Sequence, residues 1–137
     1  MIVNPYLSFD GRCDEAIEFY KSAVGAEVTV LMRFKDMPKS CSETGPTPGT
    51  ENKVMHAALR IGDSTVFASD GRCSGQAKFS GICLSLAAPN DAQAERLFNA
   101  LASGGKVSMP LGKTFFSSNF GMLTDRFGVP WMVLVQA

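Results

Sequence analysis

Histidine occurs once in this 137-residue chain, at position 56, so any imidazole chemistry must run through it. His56 lies in Val54-Met55-His56-Ala57-Ala58, a strand-like run. As a general acid or base it would need to face a pocket with a partner such as Tyr6 or Asp70 within hydrogen-bond reach. The competing role is a partly buried strand histidine bonded to backbone. Periodicity does not choose between them: Val54, His56 and Ala58 alternate with Met55, Ala57 and Leu59, and both rows are mostly apolar. Asp70, just before Gly71, suits either a ligand contact or a turn-forming role. Arg126 and its counterpart Arg60 suit an anionic ligand, or each pins its own turn through Asp125 or Asp63. Trp131, with ten Phe and seven Met in the chain, suits the apolar wall of a ligand site and equally an ordinary core.

The four cysteines, at 13, 41, 73 and 83, form no Cys-x-x-Cys pair, and one histidine leaves no zinc-finger spacing. Cys83 sits in an apolar run and reads as a small core residue. Cys13, Cys41 and Cys73 sit in polar segments and read as free thiols of a reducing compartment. Thirteen basic residues balance thirteen acidic ones with no basic stripe, which argues against nucleic acid as a partner. No apolar run approaches the roughly 20 residues that span a bilayer, and the first residues lack a signal-peptide pattern, so a cytoplasmic location is expected.

The elements that position these residues repeat. Val3–Phe9 reads as a strand. A helix follows from Asp14, with a stripe of Ala16, Phe19, Tyr20 and Ala23 and a C-cap at Gly25. Ala26–Phe34 is strand-like, and residues 35–51 form a long polar, mobile loop. Lys53–Ile61 and Ser64–Ser69 are strands joined at Gly62-Asp63. After a polar linker the order returns: a strand at Ile82–Leu86, then a helix capped by Asn90 with Gln93. That helix carries Ala94, Leu97, Phe98 and Leu101, and three further strands end the chain. The two helical stripes match at an offset of 78, and Arg60-Ile61-Gly62 matches Arg126-Phe127-Gly128 at 66. The chain therefore reads as one α+β domain of two tandem βαβββ modules, 1–70 and 81–137, joined by a linker at 71–80. Asp10-Gly11-Arg12-Cys13 also recurs as Asp70-Gly71-Arg72-Cys73, which reads as a coincidence of turn chemistry.

A doubled βαβββ unit of this length resembles the vicinal oxygen chelate superfamily of glyoxalase I, bleomycin-resistance proteins and ring-cleaving dioxygenases. Pro5-Tyr6-Leu7-Ser8-Phe9, Ala16-Ile17-Glu18-Phe19-Tyr20-Lys21, Met55-His56-Ala57 and Thr124-Asp125-Arg126-Phe127-Gly128-Val129-Pro130-Trp131-Met132 resemble its PhnB-like branch in particular. The resemblance implies a glyoxalase/bleomycin-resistance-like fold with a concave, cup-shaped sheet pocket, and a homodimer. Members of this branch have carried a demethylubiquinone methyltransferase label, but no Gly-rich cofactor loop follows the first strand here.

The superfamily's enzymes hold a divalent metal through His, Glu or Gln on the first and last strand of each module, where it acts as a Lewis acid. Carried over by position, those sites fall on Asn4, Val66, Gly81 and Met132. Glycine and valine offer no donor, a thioether is soft, and an amide oxygen is weak. The expectation is a protein that binds a small organic molecule with no cofactor and no metal at these positions, resembling the bleomycin-resistance use of the fold. Tyr6, Asp70, Arg126 and Trp131 are the candidate ligand contacts. The alternative is an enzyme: a metal-dependent lyase, isomerase or dioxygenase with other ligands, or a metal-free acid–base catalyst using His56. A third reading is a protein whose main role is pairing with a partner chain.

Overall fold

The computed structural model describes residues 1–36, 49–71, 73 and 75–136. Most of the 35–51 loop, with Cys41, lies outside the described residues. The chain divides into two compact units, Met1–Ala77 and Lys78–Ala137, each with one helix and one mixed four-stranded sheet.

Unit 1 runs β1 (Tyr6–Ser8), α1 (Cys13–Val24), β2 (Glu27–Arg33), a short 3-10 turn (Phe34–Asp36), β3 (Val54–Ile61) and β4 (Ser64–Ser69). The sheet order is β1-β4-β3-β2, with β1 parallel to β4 and the other pairs antiparallel. Strand alternation sends Leu7, Ala57, Leu59, Val66 and Ala68 to one buried row, while Tyr6, His56 and Phe67 take the other face. The helix begins with Asp14 and Glu15 in its first turn and ends at Gly25, whose φ of 68° is the left-handed conformation that glycine adopts without strain. Its buried face is Cys13, Ala16, Ile17, Tyr20 and Ala23. Phe19, expected in that stripe, is only half-buried, and Ile17 and Cys13 take its place. Cys13 is a free thiol, as expected, and lies buried in the core.

Unit 2 repeats the order as β5 (Leu84–Ala88), α2 (Asp91–Ala102), β6 (Lys106–Gly112), β7 (Phe120–Thr124) and β8 (Pro130–Val135), with sheet order β5-β8-β7-β6. All four expected stripe residues of α2 are buried. Asn90 Oδ1 accepts from the Gln93 N–H at 2.8 Å, as the capping pattern requires. The row Trp131, Val133 and Val135 is buried, so the terminal strand belongs to the core. Cys83, expected in the core, is half-buried, because it precedes the first hydrogen-bonded residue of β5.

The duplication holds in detail: α1 and α2 begin 78 residues apart, and β3 and β4 begin 66 residues before β7 and β8. One equivalence fails. Val66 is buried on the inner row of β4, whereas Met132 lies on the outer row of β8. The hairpins explain the slip. Two residues, Gly62 and Asp63, join β3 to β4, but five, Asp125 to Val129, join β7 to β8. A one-residue change of phase turns every side chain to the opposite face. In unit 1 the outer row of β4 carries Phe67, not Val66.

Candidate functional site

In unit 1 strand register collects four side chains on the outer face. Tyr6 stands opposite Phe67, Phe67 opposite Ala58, and His56 opposite Met32. The ring centroids of His56 and Phe67 are 5.2 Å apart, those of His56 and Tyr6 5.7 Å, and those of Tyr6 and Phe67 6.2 Å, all tilted. The Tyr6 hydroxyl lies 3.4 Å from His56 Nδ1. Tyr6 is 52% exposed and Met32 38%, while His56 and Phe67 are half-buried. The result is an aromatic and thioether surface with an imidazole–phenol pair set into it. The sequence named Tyr6 and His56, and the structure brings them together. It missed Phe67 and Met32, which only the cross-strand register reveals.

Asp70, the other partner considered for His56, is employed elsewhere. Its carboxylate is fully buried. Oδ1 accepts the backbone N–H groups of Gly11 at 2.9 Å and Cys13 at 2.7 Å, and Oδ2 accepts that of Val54 at 2.8 Å. The first Asp-Gly-Arg-Cys copy is clasped by the aspartate that opens the second, and Gly75 N–H returns to the Asp10 carbonyl at 3.0 Å. Gly71 has φ of 55°, and a Cβ there would collide with Ser8 Oγ. The β1–α1 turn and the end of β4 thus form a packed joint. Arg12, the residue before α1, makes no side-chain cap to it. Asp70 supplies the anion at the helix start from a distant part of the chain.

In unit 2 Trp131 is 3% exposed and donates its indole N–H to Asp125 Oδ2 at 2.9 Å. It is a core anchor, on the buried side of β8. Asp125 Oδ1 also accepts from Phe127 and Val129 N–H, at 2.8 and 3.1 Å, so this one carboxylate shapes the β7–β8 turn. Arg126 donates through Nε and Nη2 to the Ser103 carbonyl, at 3.1 and 3.0 Å. That places a cation at the C-terminus of α2, where the helix dipole favours it. Arg60 pairs with Glu27 across β3 and β2 rather than with Asp63 in its turn. The outer face of this sheet carries Met122 opposite Met132 and Phe120 opposite Leu134, with Met109 beside Met122. On the helix side an open groove of about 530 Å³ runs between α2 and β6, lined by Phe98, Asn99, Val107, Pro110 and Leu111 among others.

The four positions that would hold the superfamily's metal do not suit one. The Asn4 amide donates to the Thr65 carbonyl at 3.1 Å. Gly81 precedes β5 at φ of 76° and has no side chain. Val66 is an alkyl group turned into the core, and Met132 is a thioether. Among the described residues no three His, Cys, Asp or Glu side chains cluster as a metal cage. The described thiols, Cys13, Cys73 and Cys83, are not set up as nucleophiles either. Burial, then the charges of Asp70 and Asp14, push the Cys13 thiol up to about 12. Burial likewise raises Cys73 and Cys83. A raised pKa keeps each as the unreactive thiol.

Comparison with known proteins places this architecture. A family model described as 3-demethylubiquinone-9 3-methyltransferase matches residues 2–134. Protein PA1353 from Pseudomonas aeruginosa is 40% identical, with a TM-score of 0.85 over 99% of this chain and 98% of that one. A Bacillus cereus structure described as a putative 3-demethylubiquinone-9 3-methyltransferase, PhnB protein, is 28% identical, with a TM-score of 0.80 over 98% and 99%. A glyoxalase/bleomycin resistance protein from Albidiferax ferrireducens shares the fold alone, at 16% identity and a TM-score of 0.64 over 100% and 99%. No described helix is long and apolar enough to cross a membrane. The chain belongs to the PhnB-like family described as 3-demethylubiquinone-9 3-methyltransferase, and it shares its fold with glyoxalase/bleomycin resistance proteins.

Proposed function

We propose that the protein binds a small organic molecule on the Tyr6–His56–Phe67 face of unit 1, with no metal at the positions used by the superfamily's enzymes. The observation that carries this is the imidazole–phenol contact of 3.4 Å set among apolar side chains on a half-exposed sheet face. Ligand sites combine such an apolar lining with a few placed polar groups. Met32 adds an adaptable wall. Asp70 acts in this proposal as a support within unit 1, while Arg126 and Trp131 are engaged within unit 2. The methyltransferase activity in the family's description forms no part of it. The N–H groups of Gly11 and Cys13 at the start of α1, where a Gly-rich loop would cradle a cofactor, are spent on Asp70.

The test is a thermal-shift screen of small aromatic compounds on chelator-treated protein, followed by titration calorimetry of any hit. His56→Ala and Phe67→Ala should each weaken binding about tenfold or more. Binding that survives both substitutions, or that needs a divalent ion, defeats the proposal. The second reading, acid–base catalysis by His56, is favoured by the same Tyr6 contact. It requires His56→Ala to retain binding and lose turnover.

We further propose that the working unit is a homodimer. Val28, Val30, Leu31 and Met32 on β2, which pairs on one side only, are each 37–42% exposed. An apolar edge strand of this kind gains from being covered. Sedimentation equilibrium giving a monomer at micromolar concentration would contradict this.

A further inference from the structure

Resting on the ligand-binding reading above, we infer that Tyr6 fixes His56 as an Nε2–H donor, and that the face therefore selects aromatic compounds carrying an anionic oxygen. The contact at 3.4 Å involves Nδ1 and the phenolic oxygen, and two proton arrangements are open to it. Either the hydroxyl donates to Nδ1, or an Nδ1–H donates to the hydroxyl. The phenol is the stronger donor of the pair and the unprotonated imidazole nitrogen the stronger acceptor. The first arrangement matches the stronger donor with the stronger acceptor. It leaves the ring proton on Nε2.

Nε2 makes no hydrogen bond to another described residue. It is thus a donor held in place by its own neighbour, on a ring flanked by Phe67 and Tyr6. Those rings offer a stacking surface to a flat ligand. A carboxylate at the edge of that ligand would accept from Nε2–H, and a charge-assisted bond of this kind is about twice as strong as a neutral one.

The surrounding side chains add little net charge of either sign, the Asp10 carboxylate accepting from Ser8 Oγ at 3.4 Å. Arg60, on the His56 row of β3, and Glu27 on β2 neutralise each other as an ion pair. From β4 this face receives Thr65, Phe67 and Ser69, from β2 it receives Val30 and Met32, and from β1 it receives Tyr6 and Ser8. No unpaired carboxylate among them would repel an anion.

A single histidine makes this directly readable, because the imidazole nitrogen resonances of the whole protein belong to His56. The free protein should show an unprotonated Nδ1 and a protonated Nε2. Tyr6→Phe should mix the two tautomers. Benzoate should shift the Nε2 resonance saturably. Benzylammonium, with the same ring and a donor-only cationic end, should bind about tenfold more weakly or not at all. Equal, saturable shifts with both compounds would overturn the anion preference and leave the small-molecule reading standing. An Nδ1–H tautomer in the free protein would overturn the inference from the other side. No shift with either compound would remove the binding reading and this inference together.

Discussion

Two buried aspartates with nearly the same task show what single residues contribute here. Asp70 and Asp125 are 0% and 3% exposed, and each closes a turn by accepting several N–H groups. A buried N–H stripped of its acceptor costs about 1–3 kcal/mol. Asp70→Ala would strand three of them and should destabilise unit 1 by about 3 kcal/mol or more in urea unfolding. A loss under about 1 kcal/mol would mean that the carboxylate is replaced by water at little cost. Cys13, whose N–H is among the three, makes a second prediction. Its thiol pKa is raised from 9.0 to about 12. Between those values the unfolded chain loses the proton and the folded chain keeps it, so the unfolded state binds fewer protons and stability falls as pH rises. This contribution is complete below about pH 9 and is lost on approaching pH 12; Cys13→Ala should flatten that part of the stability curve. The roles of these residues were hard to read from sequence for a definite reason. Asp70 meets Cys13 across 57 residues, and a carboxylate beside a glycine has the same local signature whether it binds a ligand or its own backbone. Tyr6 and His56, 50 residues apart, were legible only as types, and register alone made them a pair.

The two helices pass the same test in different ways at the scale of elements. α2 carries its own cap in the Asn90 side chain, and its stripe, cap and length were all legible in local spacing. α1 is capped from outside, by Asp70, so only the acids Asp14 and Glu15 of its first turn announce its start locally. Asn90→Ala should therefore cost about 1 kcal/mol, and Asn90→Ser much less. Chemical denaturation of the pair checks this, and equal losses would show that side-chain identity rather than the cap matters. Strand faces were less legible than helices. The Arg-x-Gly match located both hairpins, yet their unequal loops put β4 and β8 out of phase, which exchanged Val66 for Phe67 on the outer face. Gly105 is a similar hidden constraint. Sequence marks it as a helix terminator, but a Cβ there would collide with the Thr124 carbonyl and approach Asp125 Cα to 2.9 Å. Gly105→Ala should destabilise unit 2 by about 2 kcal/mol or more, the range of a backbone-displacing substitution. A change within about 0.5 kcal/mol would show that the β7 end can move aside.

At the scale of the molecule, fold and chemistry separate. The family match spans residues 2–134, and the doubled element order was visible in the spacing of two helical stripes. Duplication preserves packing because each helix must bury the same face on its own sheet. It places no such demand on the outer faces. The first-strand and last-strand positions expected for a metal hold an amide bonded to the Thr65 carbonyl, a glycine, an alkyl group turned into the core and a thioether. A hard or borderline cation needs oxygen or nitrogen ligands that are free to turn toward it, and a metal bound only to the folded state would stabilise it by mass action. Neither condition is met by these four residues. Protein prepared without chelator should therefore carry well under one equivalent of divalent ion. Adding a chelator should leave the thermal midpoint unchanged within about 1 °C, whereas loss of a bound metal at a hundredfold excess over its dissociation constant removes about 2.7 kcal/mol, several degrees for units of this size. Elemental analysis and a melting scan with and without chelator decide the matter. One tightly held ion per chain, with a melting point that falls on its removal, would mean that ligands other than Asn4, Val66, Gly81 and Met132 have been recruited, and would return the protein to the superfamily's metal chemistry.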